Sequence, residues 1–393
     1  TGLEVEIIER LGDIKYEFAA GNKLISKTVH HFLMRQVGGY LTVENDPQQE
    51  AVDVQWFEID NLHVTLREHI GADLPFLLKL LAADSPLSIQ AHPTVEQARA
   101  GFERENAAGI GLSAGHRNYK DSNHKPEMIV ALSEFEALCG FRSLPQIRNL
   151  LLDMVEAIEV SPTFLAIAKN WLAEFERGGI AALVQAVLEP KLDGESIALD
   201  GFLTELAHLA DFSARFELAA RLVQLYPGDP GVVVALLLNH VHLEPGQALF
   251  LPAGNVHAYL SGLGVEIMAN SDNVLRGGLT NKHVDVPELL RVLNFESGQV
   301  PHIAPVELAH GLVEFKVPVD DFRLYRASVS AGNLLAEIGL PAQAIVLCVA
   351  GEIDLSNSLG EHAVLRRGEA AYLSAEARHF SITGSGDAFI ALG

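Results

Sequence analysis

The chain has 393 residues, 51 Asp and Glu against 28 Lys and Arg, a net charge of −23 and 49% hydrophobic residues. That length holds two or three domains with a sizeable core, and that apolar share excludes a disordered chain. So acidic a balance argues against nucleic acid as the main partner, because phosphate backbones are bound by clustered Lys and Arg. A phosphorylated small molecule would need a local basic pocket.

Two cysteines, Cys139 and Cys348, form neither a disulfide framework nor a cysteine-based zinc site. A reduced, cytoplasmic protein is the simple expectation. No apolar run reaches the roughly 18 residues of a membrane span. The longest candidate, Val232–Leu238, is strand-sized. The chain opens at Thr1 without a signal-peptide pattern, so its natural start is expected upstream. No obligate protein partner is evident.

Over the first 65 residues, Val5–Ile8 and Thr28–Met34 predict strands, with turns at Gly21-Asn22 and Gly38-Gly39. The nearly continuous apolar run 75–83 suits a buried strand. From about 145 to 226 the period becomes helical. Ile147, Leu150, Leu151, Met154, Val155 and Ile158 fall on one face, and 164–188 and 202–225 continue the pattern. This predicts four or five helices, stopped by Pro227-Gly228-Asp229-Pro230-Gly231, after which strands return.

An internal repeat follows. Residues 243–257 align without gaps on 365–379, with Leu243/Leu365, Gly246/Gly368, Ala248/Ala370, Leu251/Leu373, Ala253/Ala375 and His257/His379 identical. The shared form is a glycine turn, an alternating strand, a second turn and a strand opening on His. Adjacent strands of a β-barrel or jelly roll are built in this way. The expectation is two related β-barrel units, with the helices inserted before the last strands of the first.

Four clusters carry candidate chemistry. Gln90 and His92, two apart on a predicted strand, share a face and can point at one ion; an isolated pair of this kind is more often a solvated strand end. Glu127 ends the polar run 119–127 and opens the apolar strand 128–132. His257 follows the turn 252–256 and opens another apolar strand. One amide, two imidazoles and one carboxylate suit a catalytic Zn²⁺, although Fe²⁺ or Mn²⁺ accepts the same donors. Finally, the polar loop 266–282 carries Arg276 and Lys282, cations suited to a phosphate or a developing oxyanion. It also reads as a surface loop ending in a helix cap at Asp285.

From about Asp73 to Gly393 the chain resembles the type I mannose-6-phosphate isomerase (phosphomannose isomerase) family of the cupin superfamily. The matching stretches are 74–79, 86–93, 119–127, 251–259 and 271–280, in the family's order. The resemblance implies a mainly β fold of two related cupin jelly-roll β-barrels with an inserted α-helical domain. It makes Gln90, His92, Glu127 and His257 the ligands of one Zn²⁺ per chain and matches Arg276 to the family's active-site arginine. Ser88, Lys125, Asp272 and Lys282 fall on positions lining the sugar-phosphate pocket. The implied reaction interconverts D-mannose 6-phosphate and D-fructose 6-phosphate through an enediol, with the metal as Lewis acid. Asp272, Lys282 and a zinc-bound water are candidates for the proton-shuttling base. The second cupin unit is expected to bind no metal.

The family's usual first segment, with its Tyr-Ala-Trp-Gly and Ala-Glu-Leu-Trp motifs, is not in the sequence. Residues 1–65 instead resemble the later part of a Nudix hydrolase, through Thr1-Gly2-Leu3 and the run Val54–Asp60. The expected division is thus an incomplete Nudix-like segment of α/β origin (1–65), a catalytic barrel (66–144 and 227–300), a helical insertion (145–226) and a second cupin unit (301–393). On this view the chain as given has low or no turnover. A catalytically silent sugar-phosphate-binding cupin is the alternative reading. A cupin oxygenase fits less well, because Gln90 stands where that class places its first His.

Overall fold

The computed structural model describes residues 3–20, 23–39, 74–157, 161–192, 194–211, 213–330 and 335–393. The chain divides into two compact units, one of 1–77 with 305–393 and the other of 78–304. In the first unit, strands β1 (Leu3–Ala20) and β2 (Lys23–Gly39) pair antiparallel. They include both strands expected here, but Gly38 and Gly39 lie inside β2 rather than in a turn. Register pairing continues through Leu3↔Gly39 and Glu4↔Gly38, so the two glycines extend the ladder. The turn at Gly21-Asn22 and the run 54–60 lie outside the described residues.

The metal candidates belong to the second unit. Its early elements are β3 (Phe76–Ala83), β4 (Ile89–Ala91), α1 (Val95–Ala107), β5 (Glu127–Ala131) and β6 (Phe135–Phe141). The apolar run 75–83 does form a strand, but only Phe76 and Ala83 are buried and Leu80 is exposed. The helical block holds α2 (Leu144–Ala157), α3 (Pro162–Leu188), α4 (Asp200–His208) and α5 (Glu217–Leu225), with a small hairpin β7 (Lys191–Leu192) and β8 (Glu195–Ser196) between α3 and α4. Gly179, at φ +66°, kinks α3.

The structure departs from the sequence reading just after this block. Val232–Leu238 is not a strand, because Gly231–Leu237 forms helix α6 and β9 (Leu238–Leu243) begins only where it ends. Every residue of α6 is buried, so no polar face betrays a helical period, and a short uniform apolar run fits helix and strand equally. Asp229 decides the matter locally. Its Oδ1 accepts from the Gly231 amide at 2.7 Å and its Oδ2 from the Thr280 amide at 2.9 Å, tying the start of α6 to the end of a strand.

The remaining elements are β10 (Ala248–Leu251), β11 (His257–Ala269), β12 (Leu275–Gly278) and α7 (Val286–Val292). Strand β11 organises the unit. Its first residues pair with β4 and β6, and its later ones with β5. Between the two stretches Gly262, at φ +116°, lets the strand pass where a Cβ would meet the Glu134 carbonyl at 2.6 Å. Alternate residues of β6 then face different cores. Phe135, Ala137 and Cys139 pack between the sheets, whereas Leu138 packs against the helical block.

In the other unit, Arg323–Val329, Ala344–Asn357 and His379–Leu392 form the middle of an antiparallel sheet of eight strands. The repeat is visible in backbone form. Gly246 and Gly368 turn at φ +90° and +86°, Ala248–Leu251 and Ala370–Leu373 are strands, and His257 and His379 each open a long strand. His257 is buried and His379 exposed. Among the described residues no helix is long and apolar enough to cross a membrane.

Candidate metal centre

Register brings the candidates together. On β4, Gln90 lies opposite both His257 of β11 and Arg276 of β12. Directly opposed residues of antiparallel strands share a face. On β5, Glu127 lies opposite Leu251 of β10 and Met268 of β11. His92 follows β4 at once, and its carbonyl accepts from the Gly254 amide at 2.8 Å, which fixes it against the turn before His257.

His92, Glu127 and His257 are each 1% exposed. His92 Nε2 lies 3.2 Å from Glu127 Oε1, and His257 Nε2 lies 3.2 Å from Glu127 Oε2. The rings are 5.2 Å apart. Both imidazoles have their other nitrogen engaged. His92 Nδ1–H donates to the Asn273 carbonyl at 2.7 Å, and His257 Nδ1–H to the Asn255 carbonyl at 3.1 Å. A neutral imidazole that donates from Nδ1 presents a lone pair at Nε2. Two lone pairs therefore face one carboxylate in a dry interior, and His92 Nε2 and Glu127 Oε2 have no hydrogen-bond partner.

Three acceptors so arranged call for a cation. The imidazole–carbonyl contacts are those that orient ligating histidines, and the three side chains fit a metal ion. Gln90 Nε2 stands 3.1 Å from His257 Nε2, and turning its amide over brings Oε1 to the same point.

Electrostatics agree. Burial lowers the pKa of His92, favouring the neutral ligand form. Burial works against ionisation of Glu127, but neighbouring positive charge, Lys125 included, outweighs it, and its carboxyl stays well below the usual range. Lys125 Nζ is 3.4 Å from Glu127 Oε1.

The other sequence candidates differ in placement. Arg276 is half-buried on strand β12, not in a loop, because pairing with β4 continues through it. Gly278, at φ +125°, holds the end of that strand where a Cβ would meet Gly231 Cα at 2.3 Å. Ser88 is half-buried two residues before Gln90. Asp272 is half-buried, its amide donating to Asp121 Oδ2 at 2.8 Å. Lys282 is exposed beyond β12, its amide donating to Thr280 Oγ1 at 3.1 Å. Asp285 does cap α7, its Oδ1 accepting from the Glu288 amide at 3.0 Å. Both cysteines are buried and unpaired, and burial pushes the Cys139 thiol up to about 12 and that of Cys348 to about 11, which leaves both inert.

Sequence reasoning missed three organisers. Asn273, fully buried, donates from Nδ2 to the carbonyls of Asp121 and Asn123, and its Oδ1 accepts from the Lys120 amide at 2.7 Å. Asp121 in turn accepts from Ser271 Oγ and the Asn123 amide. The Asp-Ser-Asn run is a recognisable side-chain-bonded turn and was the available signal. Buried Glu266, on β11, pairs with Lys79 of β3 at 3.0 Å. Burial and then the Glu127 charge raise the Glu266 pKa, against the pull of Lys79.

Fold and donor set define the class: a mainly β protein with curled sheets, several helices and a buried His–Glu–His group able to hold a metal ion. The profile of the catalytic domain of type I phosphomannose isomerases matches residues 39–144, starting upstream of the resemblance seen from residue 73. Mannose-6-phosphate isomerase of Salmonella typhimurium is 38% identical over 315 residues, 80% of this chain and 78% of that protein. Its counterpart in Escherichia coli is 37% identical over the same shares. A crystal structure of zinc-bound mannose 6-phosphate isomerase is similar at a TM-score of 0.72 and 35% identity, covering 84% of this chain and 81% of that one. The chain belongs to the type I phosphomannose isomerase family.

Proposed function

We propose that the chain is a zinc-dependent aldose–ketose isomerase interconverting D-mannose 6-phosphate and D-fructose 6-phosphate through an enediol. The observation that carries this is the pair of imidazole lone pairs converging on one buried carboxylate, in a chain whose relatives are named for that reaction. His92, Glu127 and His257, with Gln90 through its amide oxygen, would hold one Zn²⁺ per chain. That ion, when bound, supplies Lewis-acid stabilisation of the negative charge that develops on the substrate oxygens.

The chain's own residues do the rest. Arg276, on the face of Gln90, offers a guanidinium to the oxyanion. Lys125, 12% exposed beside Glu127, and Ser88, near Gln90, supply donors to the sugar phosphate. In so acidic a chain this local basic character is what admits an anionic substrate. The proton passes between C1 and C2 by way of a base, and half-buried Asp272 suits that role better than exposed Lys282.

The same reading takes 66–144 with 227–300 as a cupin jelly-roll barrel, 145–226 as its insertion and 301–393 as a second cupin unit. The passage of β11 from one sheet pairing to another supports it. For residues 1–65 the Nudix-like reading rests on Thr1-Gly2-Leu3 and Val54–Asp60, while the family match from residue 39 favours an isomerase origin for 39–65. Two unpaired cysteines suit a reducing cytoplasm. A coupled assay for fructose 6-phosphate, with metal analysis on the same sample, tests the proposal. Turnover with stoichiometric zinc supports it; sugar-phosphate binding without turnover would instead mark a silent binding protein.

A further inference from the structure

A second group of metal-binding side chains lies in the same unit, away from the buried centre. Strand β9 reads Leu238-Asn239-His240-Val241-His242-Leu243. Its two histidines are two apart and share a face, with ring centroids 4.6 Å apart. Across the ladder, His242 lies opposite Glu136 of β6, and His240 opposite Leu138. His240 Nε2 is 2.5 Å from Glu136 Oε1. One donor atom from each of Glu136, His240 and His242 lies within 4.8 Å of the others.

This face is distinct from that of the buried centre. Along β6, Glu136 points with Leu138 to the outer side, whereas Cys139, opposite His257, points between the sheets. Glu136 is buried and His242 exposed, and the group opens on a cleft lined also by Glu134, Glu244, Gln247 and Ser261. Arg221, from α5, binds both Glu136 oxygens at 2.6 and 2.9 Å, and Ser261 Oγ donates to Oε2 at 3.2 Å. A carboxylate has about four lone-pair directions, so Oε1 can serve a cation with one lone pair while its other accepts from Arg221 Nη2, and Oε2 keeps Arg221 Nη1 and Ser261.

We propose that Glu136, His240 and His242 form a second divalent-metal site, open to solvent and suited to Zn²⁺. Two imidazoles and a carboxylate, with room left for water, form the donor set of an open zinc site, and imidazole disfavours Mg²⁺ and Ca²⁺. Glu134 and Glu244 on the cleft wall add negative charge that draws a cation in. An ion there would clamp β9 to β6, where the helical block returns to the sheet.

The holoenzyme dialysed to equilibrium against micromolar Zn²⁺ tests this, with zinc per chain measured by elemental analysis. Wild-type protein should take up one ion beyond that of the buried centre, and Mg²⁺ in excess should not displace it. His242→Ala, at an exposed position where folding is not at stake, should weaken that uptake about tenfold or more. His240→Gln should do the same, and His257→Ala should leave it intact. If the buried centre bound no zinc at all, uptake abolished by His242→Ala would still support the outer site. Saturation with no uptake sensitive to His240 or His242, or equal affinity in both variants, would overturn it.

Discussion

Asn273 holds His92 with its backbone and the 120–123 turn with its side chain. The same residue accepts His92 Nδ1–H on its carbonyl and donates from Nδ2 to the Asp121 and Asn123 carbonyls. The orientation of a metal-binding imidazole is therefore coupled to the polar turn that leads to Lys125 and Glu127.

Asn273→Ala should separate that coupling from simple folding. It strands partly buried backbone groups of 120–123, at a cost of about 1 to 3 kcal/mol in stability. Because the imidazole loses the surroundings that fix its carbonyl partner, zinc affinity should fall by about ten- to a hundredfold. Thermal unfolding and competitive chelation measure the two effects. An unchanged zinc affinity at lowered stability would make Asn273 purely structural.

Removing the metal should destabilise the native protein, because it returns two lone pairs and a carboxylate to mutual confrontation. A ligand held at roughly a thousand times its dissociation constant adds about 4 kcal/mol to stability. A strong chelator should therefore lower the melting temperature, and added Zn²⁺ should restore it. Glu127→Gln should lose most of that chelator-dependent shift.

Much of this centre was legible in the sequence, and the reasons are local. Gln90 and His92 sit two apart at a strand, Glu127 and His257 open apolar strands, and period-two geometry follows directly from such patterns. What escaped depends on partners far along the chain. Arg276 reads as a loop residue because its strand is four residues long and is defined by pairing with β4, far upstream. Helix α6 reads as a strand because tertiary burial on every side erases its period. Lys79 and Glu266 are unremarkable singly, and their ion pair exists only once β3 lies on β11.

Lys79→Met tests that pair through pH. Glu266 is buried with a raised pKa, and loss of Lys79 removes an influence that holds it down. A carboxyl raised above its unfolded value contributes stability at low pH that is lost as pH rises through the folded value. The variant should thus be closest to wild type below pH 4.5 and fall behind it as pH rises, by about 3 kcal/mol at most, the scale of a broken buried pair. A pH-independent deficit would contradict this.

Arg221→Ala should show the opposite sign. Burial raises the Glu136 pKa, but hydrogen bonds from Arg221 and His240 outweigh it and hold the carboxyl below 4.5. A depressed carboxyl contributes stability above its unfolded value and loses it as pH falls toward the folded one. The gap between wild type and variant should be full above pH 4.5 and close below it. Melting curves across pH 3–7 read this directly, and a gap that widened on acidification would refute the assignment.

Arg276→Ala should separate chemistry from folding. Arg276 shares a face with Gln90 across the β4–β12 pair, and it is half-buried rather than packed in the core. Its backbone is held independently of its side chain, by pairing with β4 and by the tie from Asp229 to Thr280 just beyond Gly278. Truncation therefore opens no closed cavity, and the melting temperature should move by little. A charged donor aimed at a developing oxyanion is worth about 3 kcal/mol, roughly a hundredfold in turnover. Arg276→Lys keeps the charge but not the planar fork and should recover only part of that loss. Steady-state kinetics on both variants, with zinc content measured in parallel, decide the point. A rate loss that tracks lost zinc or lost stability would make Arg276 a structural neighbour of Gln90 rather than a participant in the reaction.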